Sequence, residues 1–89
     1  MFAQIWEDRE HVSEISERPL GDEANVWFFA HILPKGAYGR FRLREDNIVL
    51  MTQDEHYMFD HQTHKAKEDP RFDGVFKKAE ELKREYHAL

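Results

Sequence analysis

The sequence predicts a small α+β fold: a hairpin of two short strands, a capped helix behind it, and an additional C-terminal amphipathic helix. Three observations predict it. The run Val26-Trp27-Phe28-Phe29-Ala30-His31-Ile32-Leu33 is aromatic and β-branched, as a buried strand is, and Pro34 closes it. Thr52-Gln53-Asp54-Glu55 fits a capping box, with Thr52 as N-cap and Glu55 at the third helical position. Phe72, Val75, Phe76, Ala79, Leu82 and Tyr86 recur on one helix face, with Lys77, Lys78, Glu81 and Arg84 on the other.

The remaining elements follow in chain order. Phe2, Ile5 and Trp6 stand at helical spacing over residues 2–11, and they could also supply an exposed apolar interface. Residues 12–16 read as a brief extended piece, ended by the turn signal Arg18-Pro19-Leu20-Gly21. Lys35-Gly36-Ala37-Tyr38-Gly39 reads as a loop, and Asn47-Ile48-Val49-Leu50-Met51 as the second strand. The capped helix should run from Thr52 through His56 and Phe59 to about His64, its acidic first turn suiting the helix dipole. Asp69-Pro70 opens the last helix, about residues 70–88, with Pro at its first position. No linker, repeat or low-complexity tract divides the chain, so a single domain over 1–89 is expected.

Composition bounds the chemistry. There is no cysteine, which excludes a disulfide framework and a thiolate zinc site. No apolar run reaches membrane-spanning length, and the N-terminus turns acidic at Glu7-Asp8, unlike a secretory leader. A cytoplasmic protein without a membrane partner is the expectation. Net charge is −5, which argues against strong non-specific DNA affinity. The charge is uneven, however. Residues 31–45 carry Lys35, Arg40, Arg42 and Arg44 against Glu45 alone, so a local phosphate-contacting patch is conceivable there. The arginines alternate with Phe41 and Leu43, a spacing that also suits the wet face of a strand.

His56 and Asp60 lie four apart on the predicted helix and share one face, so an imidazole nitrogen and a carboxylate oxygen can grip one divalent ion. If that helix packs across the hairpin, His31 points at the same spot. A neutral His beside a metal-bound phosphate is suited to activating water. With six histidines in the chain, an i,i+4 His/Asp pair also arises by chance, so a core His31 and a solvated His56/Asp60 face remain the competing reading.

The spacing of these residues adds a resemblance. Phe29-Ala30-His31-Ile32-Leu33-Pro34-Lys35-Gly36, then Asp46-Asn47-Ile48-Val49-Leu50-Met51, then Asp54-Glu55-His56, resembles the HNH (ββα-metal) endonuclease family. It looks most like the short HNH-like proteins common in phage and prophage genomes. The family pattern is a His, two apolar residues and Pro, a loop, an Asn-apolar strand, and a His nine positions after the Asn. The resemblance covers roughly residues 13–64. It implies His31 as general base, Asn47 as the residue that fixes the loop (and in some members reaches the metal), and His56 and Asp60 as metal ligands. Lys35 and the arginines at 40, 42 and 44 would contact phosphate. The implied cofactor is a divalent ion (Mg²⁺, Mn²⁺, Ni²⁺ or Zn²⁺), and the implied partner is DNA.

Two departures accompany the resemblance. Many members place a metal ligand immediately before the base, where this chain has Ala30. Either His56, Asp60 and water suffice, or His64 or Asn47 completes the site, or the metal site is lost. Larger members also carry two Cys-x-x-Cys knuckles around a structural zinc; here the corresponding places are Ser13-x-x-Ser16 and Thr52-x-x-Glu55, a poor structural zinc site. The capping box and aromatic packing are expected to replace that zinc. The alternative function is a catalytically inactive scaffold binding DNA or a host protein, with a metal-binding module behind it. Oligomeric state stays open.

Overall fold

The computed structural model describes residues 2–89 as a two-stranded antiparallel hairpin covered by helices on both faces. Helix α1 is Phe2–Asp8. Strands β1 (Phe29–His31) and β2 (Ile48–Leu50) pair with Phe29 opposite Leu50, Ala30 opposite Val49 and His31 opposite Ile48. Helices α2 (Gln53–His61), α3 (Thr63–Glu68) and α4 (Asp73–His87) follow.

Strand alternation divides the core in two. Phe29, Ile48 and Leu50 face α1 and pack with Ile5, Trp6 and Leu20, while Phe2 stacks on Phe29 at 4.5 Å. Ala30, Val49 and Met51 form the other face, packing with Phe59, Ala66, Phe72, Val75, Ala79 and Leu82 from the later helices. The C-terminal stripe expected from helical spacing is therefore the wall of the larger core. The residues of α1 are core as well: Ile5 and Trp6 are buried, so they do not form the exposed interface their spacing allowed.

Several boundaries differ from expectation. β1 is only three residues long, because Val26–Phe28 is a 3-10 turn with Val26 and Trp27 exposed rather than buried. Residues 14–16 form a turn, not an extended piece; only Val12 bridges, to Pro19, and Glu17 takes a left-handed backbone with φ 64° to close the loop. Asn47 ends a 3-10 turn, Glu45–Asn47, instead of opening the second strand. The arginine series lies on the 3-10 turn Gly39–Phe41 and the bends after it, so it is not a strand face.

The capping box is present in full. Glu55 N–H donates to Thr52 Oγ1 at 3.2 Å and Thr52 N–H to Glu55 Oε1 at 2.8 Å. The helix it starts ends at His61, because Gln62 leaves helical geometry and α3 begins separately. Asp69 caps the 3-10 turn Pro70–Phe72, so Pro70 opens that turn and the α-helix proper starts at Asp73.

The loop over 11–20 is tied to the start of α2. Ser13 Oγ accepts from the N–H groups of Ile15 and Ser16 and donates to Glu55 Oε1 at 2.5 Å. The loop also covers the outer edge of β2: Glu14 N–H donates to Leu50 O, and Leu50 N–H donates to the Glu14 carboxylate at 2.6 Å. Both edges of that strand are thus satisfied without a third strand.

Candidate metal and nucleic-acid site

His31 ends β1, and Asn47 precedes β2 across the 32–47 loop. The Asn47 side chain is fully buried. Its Oδ1 accepts from Leu33 N–H at 2.8 Å, and its Nδ2 donates to the carbonyls of Leu33 at 3.2 Å and Phe41 at 3.3 Å. All three polar directions are used on loop backbone. Asn47 therefore holds the loop in place behind the cleft and does not line it.

The His31 Nε2 lies 3.1 Å from the Arg42 carbonyl. A carbonyl can only accept, so Nε2 carries the hydrogen and Nδ1 keeps its lone pair. No hydrogen-bond partner engages that Nδ1 among the described residues. The loop fixed by Asn47 thus supplies the carbonyl that selects the His31 tautomer. A neutral imidazole with an unengaged lone pair is the form that can take a proton.

On α2, His56 and Asp60 face each other as their spacing requires, Nε2 to Oδ2 at 2.9 Å. The other ring nitrogen, Nδ1, donates to the Trp27 carbonyl at 2.6 Å. That contact fixes the tautomer in which Nε2 is the basic nitrogen. A bare lone pair and a carboxylate oxygen repel each other at this distance, so the pair needs a cation between them. Either a second proton on His56 or a metal ion meets that need. The separation is that of a hydrogen-bonded ion pair, and the same two atoms would serve as two of an ion's ligands. The donor chemistry, one imidazole and one carboxylate with a carbonyl behind the ring, suits a divalent cation.

His31, His56 and Asp60 line one cleft of about 770 Å³, together with Lys35, Lys67 and Lys83. The expected base and ligand pair are therefore brought to one hollow between the hairpin end, α2 and α4. His64 does not join them; it is exposed on α3. Among the described residues, no group of three or more His, Cys, Asp or Glu side chains converges to hold an ion, so His56 and Asp60 form a two-donor pair. Ala30 explains why no third donor enters from β1. Its side chain is fully buried in the larger core, so the position before His31 is given to packing.

The basic residues divide by role. Arg42, exposed, lines a shallower hollow with His31 and Lys35, while Arg40 is exposed and lines neither. Arg44 is occupied. It meets Asp46 at 2.6 Å and Glu85 at 2.7 Å, and its guanidinium lies 4.4 Å over the Phe41 ring. The hydrogen bonds it donates to Asp46 and Glu85 raise its pKa further, and Arg44 in turn holds the Asp46 carboxyl below the usual range. Arg44 is a strut between the loop and α4, not a free phosphate contact. Lys67 and Lys83 do reach the cleft, Lys83 loosely paired with Glu80 at 3.9 Å, and their sequence context hid them. Phe76, Ala79, Glu80 and Lys83 repeat at helical spacing and share the cleft-facing side of α4, the one signal that marked Lys83.

Glu55 is not part of this cleft, although it stands one residue before His56. Only 3% exposed, it would be pushed upward by burial, but the hydrogen bonds it accepts from the Ser13 hydroxyl and the Thr52 N–H outweigh that and hold its carboxyl below the usual range. The four positions where the resemblance pointed to zinc knuckles thus meet in space as a hydroxyl–carboxylate cluster. Comparison of the chain with protein-family models, with curated proteins and with solved structures finds no match in any of the three.

Proposed function

We propose that this chain is a divalent-metal-dependent endonuclease of the HNH type, hydrolysing DNA phosphodiester bonds in the cleft between β1, α2 and α4. The observation that carries the reading is the His56–Asp60 pair: a basic nitrogen fixed by the Trp27 carbonyl, 2.9 Å from a carboxylate, on the same cleft as His31.

The chain's own groups divide the work as follows. His56 Nε2 and Asp60 Oδ2 would hold the cation, which would supply charge to polarise the phosphoryl oxygen and offset the leaving oxygen. His31 Nδ1 accepts a proton from the attacking water, and the Arg42 carbonyl stabilises the imidazolium that results through the Nε2–H bond. Lys35, Lys67 and Lys83 lie on the cleft walls, where they contact neighbouring phosphates. Asn47 acts one step back, as the residue that positions the loop.

One observation favours the second reading, a catalytically inactive scaffold of the same shape that binds DNA or a partner protein. Ala30 is buried at the position where the resembling family puts a metal ligand, which leaves two protein donors. Plasmid nicking by the purified chain with Mg²⁺, Mn²⁺, Ni²⁺ and Zn²⁺ in turn tests the choice. Metal-dependent nicking supports the nuclease; inert, well-folded protein with every ion supports the scaffold.

A further inference from the structure

Sharing His56 and Asp60 with the main cleft is a second hollow, shaped by Trp27, Gln53, Tyr57 and His61. His56 and Asp60 line both, so the cation-binding pair is the ridge between them. Trp27 is 43% and Tyr57 58% exposed, which is unusual for rings of that size in a chain whose other Trp is buried. Trp27 is met by Phe28 with the ring planes 80° apart, an edge contact rather than a stack. Tyr57 leans on His61 at 5.0 Å. The Trp27 carbonyl is also the group that orients His56, so the ring and the ligand are held by one backbone unit.

We infer that this aromatic shelf takes an unpaired nucleobase of the strand whose phosphate lies on the ridge, and that the substrate is single-stranded or locally unpaired DNA. The inference rests on the nuclease reading for the position of the phosphate. A phosphodiester on the ridge has one nucleoside on each side of it. Toward the main cleft the chain offers Lys35, Lys67 and Lys83, which suit the continuing backbone. Toward the shelf it offers π faces. Bases in a duplex are already stacked on their neighbours and have no face to give, whereas an unpaired base stacks on an aromatic ring with little regard to sequence. A protein partner would use the same rings, but Lys35, Lys67 and Lys83 outnumber Glu80 on the cleft, and a cation on the ridge would offset Asp60, which together suit a polyanion. The charge decides for nucleic acid.

The test is a tryptophan-fluorescence titration with a short oligo(dT) and with a duplex of equal length, both with phosphorothioate linkages that resist cutting, at low salt and with Mg²⁺ present. The expected result is quenching by oligo(dT) that is absent in Trp27→Ala, with affinity for oligo(dT) reduced about tenfold to a hundredfold. Trp27→Phe should keep most of that affinity. Tyr57→Ala, at a site exposed enough to leave folding intact, should weaken oligo(dT) binding in the same direction. Duplex binding should change little in any of them. Equal losses for duplex and single strand, no loss in either alanine variant, or no binding of either oligonucleotide would overturn the shelf. Nicking separates this inference from the reading it rests on: quenching without nicking leaves the shelf standing and removes the nuclease, and nicking without quenching does the reverse.

Discussion

The Ser13 hydroxyl donates to Glu55 Oε1 across 2.5 Å, joining residues 42 apart in the chain inside the protein. The same oxygen accepts the Thr52 N–H, and Ser13 Oγ accepts two N–H groups of its own turn. One carboxylate oxygen thus ends a loop, begins a helix and ties the two together. A metal knuckle would serve that end, and this chain serves it with hydrogen bonds.

Removing the cluster should therefore cost more than removing an ordinary cap. Thr52→Ala should destabilise by about 1 kcal/mol. Glu55→Ala should cost about 3 kcal/mol, because it also strands the buried Ser13 hydroxyl and the Thr52 N–H. Denaturant unfolding of both variants and of Ser13→Ala checks this, and a Ser13/Glu55 double-mutant cycle should show clear coupling. Equal losses for Thr52→Ala and Glu55→Ala would reduce the cluster to a simple cap.

The pH dependence has a defined sign. Glu55 and Asp46 are both held below the usual carboxylate range, so the unfolded chain binds protons first as pH falls. Their contribution is fully present above the unfolded-state carboxylate range and is lost as pH drops through their folded-state values. Melting temperature should thus be flat near neutrality and fall on the acid side, and Glu55→Gln should shallow that fall. An acid limb unchanged in Glu55→Gln would contradict the role given to this carboxylate.

Phosphate contacts should follow the cleft rather than the arginine series. Lys67→Ala and Lys83→Ala should each lower the slope of log binding constant against log salt by about 0.7 to 0.9. Arg44→Ala should leave that slope alone and instead cost under about 1 kcal/mol of stability, since its ion pairs are partly exposed. A slope change confined to Arg44→Ala would reverse the assignment.

Ala30→Asp, the change that would supply the expected extra ligand, should destabilise instead of restoring a site. Its side chain enters the core among Val49, Met51 and Phe59 with no partner for a charge. A loss of about 3 kcal/mol or more is expected by calorimetry or denaturant unfolding.

What could be read from the residues was what local chemistry dictates. The capping box needs only Thr52 and Glu55 three apart, and the stripe from Phe72 to Tyr86 needs only helical spacing, so both were legible. The facing of His56 and Asp60 was legible for the same reason. Trp27 was not. Aromatic and β-branched content marks 26–33 as strand, but only Phe29–His31 find partners on β2, and the residues before them curl into a turn that leaves the ring outside. The pairing of Arg44 was not legible either, because one of its partners, Glu85, lies at the far end of α4. The link between Ser13 and Glu55 likewise depends on the fold, although each half stood out by its spacing.

The central claim is hydrolysis by His31 beside a cation held by His56 and Asp60. It is tested most directly by plasmid nicking with Mg²⁺, Mn²⁺, Ni²⁺ and Zn²⁺, comparing the chain with His31→Ala and His56→Ala. The account predicts metal-dependent nicking that both substitutions abolish, with only His56→Ala also abolishing metal binding. Nicking that survives His31→Ala, or a folded protein that binds no ion and cuts no DNA, would contradict it.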